Sequence, residues 1–190
     1  AVYPPGFRTW VEVRDLSRPL EGTFRPGHFR GVATVVLKLL NMVQPDRAYF
    51  GQKDAQQARV IQQMVRDLDL PVQIEVVPTV READGLALSS RNVYLGPEER
   101  HAALAISRAL REVAARWAAG EREAARLRLV LQATLASEPR VVPDYAAVAD
   151  LLTLQEIVGL ATPPVLVAVA ARVGRTRLID NVVLGDWPAG

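Results

Sequence analysis

Gly51-Gln52-Lys53-Asp54-Ala55-Gln56-Gln57 sets a cation, a carboxylate and three amides into one short run, directly after the apolar stretch Arg47-Ala48-Tyr49-Phe50. A second polar run, Asp84-Gly85-Leu86-Ala87-Leu88-Ser89-Ser90-Arg91-Asn92, adds two hydroxyls and a guanidinium. Lysine is scarce: the only lysines are Lys38 and Lys53, and arginine supplies the other cations. A compact ammonium inside a Gly-Gln-Lys-Asp turn suits a phosphate, which takes a point charge well. Ser89, Ser90 and Arg91 offer donors of the kind that satisfy polyphosphate oxygens. Read together, the two runs describe a nucleotide phosphate site.

The elements that must position them can be read from periodicity. From His28, apolar residues at Val32, Val35, Val36, Leu39, Leu40 and Val43 form a helical stripe, ended by Pro45-Asp46. Residues 46–51 read as a buried strand. A second helix opens at Asp54 and is expected to bury Ala58, Ile61, Val65 and Leu68, and after Pro71 residues 72–77 are a β-branched strand. Strand, helix, strand is a βαβ unit with parallel strands. Residues 9–13 read as a further short strand, followed by an irregular stretch to Gly27.

Beyond Tyr94 the pattern changes. Pro97-Glu98-Glu99-Arg100 opens a long helix, with Pro at its first position and acids in its first turn. It should reach Ala119, with Gly120 ending it and a second helix running to Ala136. Strands follow near 144–149, 165–172 and 176–181, the last two joined by a turn at Gly174. The expected fold class is α/β, a partial Rossmann-like domain with a parallel sheet, followed by a small α+β domain. The expected boundaries are 1–83, a hinge and phosphate loop at 84–96, and 97–190. Gly85 and Gly96 are available to absorb rotation in a hinge spanning 78–96.

Each polar run also has a plainer reading. Asp54-x-x-Gln57 fits a helix N-cap with a capping-box partner. The same geometry serves a ligand, because parallel sheets bind ligands beyond the carboxyl ends of their strands, against helix N-termini. Residues 88–92 also fit a solvated serine-rich turn. Their charged flank, Arg81-Glu82-Ala83-Asp84-Gly85, follows a strand, where loops carry ligand chemistry. Arg25-Pro26-Gly27-His28-Phe29-Arg30-Gly31 brings Arg25 and His28 to a helix start as additional candidates, with a solvated histidine the alternative. His101 belongs on a helix surface. Two separated histidines form no metal motif.

Composition excludes several classes. The chain of 190 residues has 49% hydrophobic content and a net charge of only +2, with arginines scattered rather than blocked, which argues against nucleic acid. The absence of cysteine removes disulfides and thiolate catalysis and fits a reducing cytoplasm. No apolar run approaches the roughly 20 residues of a membrane span.

Three motifs then carry a resemblance: Arg-Pro-Gly-His-Phe-Arg-Gly-Val (25–32), Phe-Gly-x-Lys-Asp-x-Gln-Gln (50–57) and Pro-Thr-Val-Arg-Glu-Ala-Asp-Gly-Leu-Ala-Leu-Ser-Ser-Arg-Asn (78–92). Val-Gln-Pro-Asp (43–46) and Arg-Leu-Ile-Asp-Asn (177–181) support them. In this order, over essentially the whole chain, they resemble the pantothenate synthetase family. The resemblance implies a cytoplasmic enzyme that condenses pantoate with β-alanine at the cost of ATP, with Mg²⁺. The route is a pantoyl-adenylate, and AMP and pyrophosphate are released. It implies a Rossmann-like nucleotidyltransferase domain, a smaller C-terminal domain closing over the site, and a homodimer.

Carried over by motif, Gly51, Gln52, Lys53 and Asp54 would line ATP, with Lys53 on phosphate and Asp54 on ribose, and Gln57 would hold pantoate. Val80 would touch the nucleotide, and Leu88, Ser89, Ser90 and Arg91 would form the counterpart of the Lys-Met-Ser-Lys-Ser loop. Lys53, Ser89, Ser90 and Arg91 are the residues expected to act on the reacting phosphates, and with Asp54 they are expected to converge on one pocket between the two halves. Position 52 is glutamate in many relatives and Gln here, and position 88 is Leu where some have Met. The family's His-x-Gly-His motif, and the glutamine that holds both small substrates, lie in an N-terminal part that these residues do not contain. The chain is therefore expected to be a piece of a longer enzyme and inactive alone. The alternatives are another member of the nucleotidyltransferase superfamily and a non-catalytic nucleotide-binding module.

Overall fold

A computed structural model describes residues 2–187. By contacts the chain divides into two units, one running to Val77 and the other from Pro78. Among the described residues no helix is long and apolar enough to cross a membrane.

The first unit is α/β. A single helical turn, α1 (Glu21–Phe24), precedes α2 (His28–Val43), β1 (Arg47–Gly51), a 3₁₀ turn (Gln52–Asp54), α3 (Ala55–Asp67) and β2 (Gln73–Val77). The two strands pair in parallel, Arg47 opposite Gln73 and Gly51 opposite Val77, so both carboxyl ends finish level. α3 buries Ala58, Val60, Ile61 and Met64, positions one helical turn or less apart, and thereby covers the sheet.

Several expectations change here. Residues 9–13 form no strand. The Val11 N–H is taken by the Thr34 hydroxyl of α2 at 2.9 Å, so this backbone is satisfied by a helix side chain rather than by a ladder. β1 is a strand but not a buried one: its residues alternate between exposed and half-buried, and Tyr49 is 64% exposed. Val65 of α3 is half-buried, and Leu68, just past the end of the helix, is exposed. In α2 the buried positions are Phe29, Ala33, Thr34 and Leu40, while Leu39, Met42 and Val43 stay exposed.

The second unit is α+β. α4 (Pro97–Ala118) and α5 (Ala124–Ala136) lie on a three-stranded antiparallel sheet of β3 (Val141–Asp150), β4 (Val165–Val173) and β5 (Thr176–Leu184), with β4 central. Pro97 and the Glu98-Glu99 pair start α4, and the Glu99 carboxylate accepts from the Gly96 N–H at 3.0 Å. α5 buries Leu127, Leu131 and Leu135, spaced four apart along one face. Each such leucine contributes about 1.5–3 kcal/mol of burial. β4 is buried at every position but Arg172, and Val165, Val167, Val169, Ala171 and Val173 on one of its faces join the core built with α4 and α5. The sheet register breaks between Pro143 and Tyr145, where proline has no N–H for the ladder. Gly174 opens the two-residue β4–β5 loop at φ +58, the first-position glycine that a type II′ turn takes.

Candidate functional site

In the first unit, Gly51 is the last residue of β1, and Gln52, Lys53 and Asp54 form the 3₁₀ turn that feeds α3. Lys53 and Gln52 are half-buried and Asp54 is exposed. Asp54 precedes α3 without a side-chain capping bond, so the capping-box reading of Asp54 and Gln57 does not hold. The Asp54 carboxylate is thus not committed to its own helix. Gln57 follows within the first turn of α3, half-buried.

The two adjacent glutamines differ in burial. Gln56 is buried, and its amide closes the loop that precedes α2: Nε2 donates to Leu16 O and Pro19 O, both at 2.8 Å, and Oε1 accepts from Glu21 N at 3.0 Å. Nothing in the spacing of residues 51–57 distinguishes Gln56 from Gln57; the difference follows from the 100° step between neighbours on a helix.

Arg25 and His28 belong to the same neighbourhood as the first run. His28 opens α2, half-buried against Phe29, and its pKa lies below the usual 6.5 because of burial first and the Arg25 guanidinium second. Glu21 and Asp54 oppose that shift, which puts the Asp54 carboxylate within electrostatic reach of the imidazole. His28 is thus partly covered rather than fully solvated, beside an arginine and two carboxylates.

In the second unit the segment 80–92 folds back on itself, while Leu88, Ser90 and Arg91 within it stay exposed, as the solvated-turn alternative for 88–92 has it. Leu88 N donates to Val80 O at 2.9 Å and Glu82 N to Leu86 O at 2.8 Å, with Arg81 bridged to Ala87, so residues 80–88 make a small hairpin. Gly85 lies at its tip at φ +92, a backbone conformation that strains any residue with a Cβ, so a glycine is needed. The nucleotide candidates Val80 and Leu88 are cross-strand partners, 65% and 55% exposed. Ser89 caps a 3₁₀ helix over residues 90–94, its hydroxyl accepting from Arg91 N at 3.2 Å. Ser90 and Arg91 are exposed. Arg91 opens onto a concavity of about 760 Å³ with Tyr94, Glu99, Arg175 and Arg177.

The charges that made this run look like ligand chemistry are mostly paired within the unit. Arg81 forks onto the Asp180 carboxylate at 2.7 and 3.0 Å. Arg100 of α4 holds both Glu82 and Asp84 at 2.7 Å. Asn92, buried, donates to Glu82 and to Ala87 O. The Glu82 carboxyl is held below its usual range by Asn92 first and Arg100 next, and that of Asp84 by the Leu86 N–H first, with Arg100 adding to it. Arg81, Arg100 and Asp180 therefore matter to this segment without having been candidates. The only signal for them was that Arg81 and Asp180 each fall inside a recognisable motif.

Comparison with known proteins agrees with this architecture. The chain matches the family model for pantoate-beta-alanine ligase over residues 1–183. It is 58% identical over 183 residues to pantothenate synthetase of Chloroflexus aurantiacus, covering 96% of this chain and 65% of that protein. It is 56% identical to that of Moorella thermoacetica, covering 96% and 64%. Among solved structures, pantothenate synthetase from Thermus thermophilus superposes with a TM-score of 0.91 at 46% identity, over 95% of this chain and 65% of that one. Pantoate-beta-alanine ligase from Francisella tularensis, complexed with beta-gamma ATP and beta-alanine, gives 0.69 at 32% identity, over 96% and 60%. The chain thus spans about 65% of the length of such relatives. With its fold, its motifs and its match over 1–183 all in agreement, the chain belongs to the pantoate-beta-alanine ligase family.

Proposed function

We propose that the protein carrying this chain joins pantoate to β-alanine with ATP, through a pantoyl-adenylate formed in a Rossmann-like site. The observation that carries this reading is the placing of Lys53 and Asp54 in the turn between the carboxyl end of a parallel strand and the start of α3, where nucleotides bind in open parallel sheets. The Francisella tularensis relative, bound to a nucleotide and to beta-alanine, supports it.

In this reading a pantoate carboxylate oxygen attacks the α-phosphorus of ATP, the bond to the bridging oxygen breaks, and pyrophosphate leaves with that electron pair. Lys53 neutralises developing phosphate charge, Ser89, Ser90 and Arg91 donate to phosphate oxygens, and Asp54 accepts from the ribose. Gly51, Gln52, Val80 and Leu88 line the nucleotide. Gln57 orients pantoate, and Arg25 and His28 flank it. The amine of β-alanine then attacks the acyl carbon, AMP departs, and the amine loses its proton to solvent. Such reactions depend on positioning and charge neutralisation, and no protein nucleophile is needed. Mg²⁺ enters as part of MgATP.

Substrate-dependent ATP–pyrophosphate exchange tests the reading. Pantoate should support exchange in the full-length protein and other small acids should not; exchange driven by a different acid would overturn it. These 190 residues alone should release no AMP above background, because orientation of pantoate is expected to need residues outside them, and misorientation costs about 10²-fold or more.

A further inference from the structure

We propose that Arg81 and Asp180 are positioning residues for the nucleotide: their forked ion pair holds the 80–88 hairpin so that Val80 and residues 88–91 meet ATP in a single arrangement. This rests on the functional reading above.

The geometry is specific. Arg81 NH1 and NH2 reach the two oxygens of Asp180 at 2.7 and 3.0 Å, the planar two-point match that lysine cannot make. Asp180 is 4% exposed on β5, and its Oδ1 also accepts from Asn181 N at 2.8 Å, so the acceptor is fixed by the sheet. Arg81 NH1 donates as well to Gly85 O at 3.1 Å, joining the hairpin tip to the same guanidinium. One side chain therefore connects the base of the hairpin, its tip and β5.

What the hairpin lacks is apolar anchorage. Of residues 80–88 only Leu86 and Ala87 are buried, while Val80, Arg81, Ala83, Asp84 and Leu88 are exposed. The core of the unit, built on α4, α5 and the sheet, draws only Leu86 from it. Loss of the fork should therefore loosen the hairpin without unfolding the unit. Because Val80 and Leu88 are bonded across the hairpin and Ser89 follows directly, a loosened hairpin displaces every second-unit group assigned to the nucleotide, and none assigned to pantoate.

The experiment uses the full-length protein with Arg81→Lys, which keeps the charge and loses the fork, and Asp180→Asn, which keeps the shape and loses the charge. ATP affinity is measured by titration calorimetry, kinetics by pantoate-dependent exchange, and folding by thermal melting. Both variants should bind ATP about tenfold more weakly and raise KM for ATP to match, with KM for pantoate unchanged, as expected when a positioning group is displaced. Melting should fall by no more than about 4 °C. Unchanged ATP affinity in a folded Arg81→Lys protein would overturn the proposal, as would an equal rise in KM for pantoate. Should Asp180→Asn fail to fold, Arg81→Lys decides. If the unaltered protein shows no pantoate-dependent exchange, the functional reading fails, while the calorimetric comparison still decides the role of the pair.

Discussion

Glu21 donates its backbone N–H to the Gln56 side chain at 3.0 Å, across 35 residues of sequence, and the same amide holds Leu16 O and Pro19 O. Gln56 is thus the closure of the loop that leads into α2, while Gln57 beside it is left to the proposed substrate. Gln56→Ala should destabilise the first unit by about 2–4 kcal/mol, since it strips partners from three backbone groups at once. Gln57→Ala should leave stability within about 0.5 kcal/mol and raise KM for pantoate. Denaturant melts of both variants, with exchange kinetics on Gln57→Ala, check the pair. Equal stability losses would mean that the two amides share one role.

Lys53→Ala should slow adenylation by about 10²-fold, or about 3 kcal/mol, by removing a charge expected to act on the phosphates in the transition state. Single-turnover measurement of pyrophosphate release in the full-length protein reads this directly. An unchanged rate would reduce Lys53 to a residue of the turn before α3.

His28 has a folded-state pKa below 6.5, so the unfolded chain binds the proton more readily than the folded one. Stability is therefore unaffected by His28 above about pH 6.5 and falls as pH drops from there through the lower folded value. Denaturation midpoints at about pH 7.5 and about pH 5.5, on either side of that onset, should differ more for the unaltered protein than for His28→Gln. A difference of equal size in both would place the acid sensitivity elsewhere.

Arg100 helps to hold Glu82 and Asp84 ionised, alongside Asn92 for the first and the Leu86 N–H for the second. Carboxyls with depressed pKa values contribute stability above their unfolded values of 4.5 and 3.8, and that contribution is lost as pH falls through the folded ones. In Arg100→Gln both midpoints should rise part of the way back, because the other donors remain. Carbon-detected NMR titration of the two carboxyls checks this, with unmoved midpoints the contrary result.

The elements that could be read in advance were those with a local cause. The start of α4 follows from Pro97 and its acids, β2 from a β-branched run, and the β4–β5 turn from Gly174. What could not be read was settled by partners far along the chain. Residues 80–88 look like a charged loop until Asp180, Arg100 and Asn92 take up their charges. Residues 9–13 look like a strand until Thr34 takes the Val11 N–H. The two polar runs stood out in the sequence because glycine, lysine, serine and arginine cluster there between apolar elements, and the structure puts them in turns at the ends of strands or before a 3₁₀ helix. The structural use of Gln56 rather than Gln57 was not legible there, since it depends on which face of α3 meets the loop at 16–21.

The hold of Asp180 on Arg81 also has a consequence in time. Asp180 lies 99 residues beyond Arg81, so a ribosome working at about 5–20 residues per second exposes the arginine some 5–20 s before its acceptor exists. During that interval the hairpin has no anchor on β5 and is held only by contacts made earlier in the chain, such as those of Asn92 and Arg100. On the functional reading above, the part of the second unit proposed to face the nucleotide is locked only once β5 has been made.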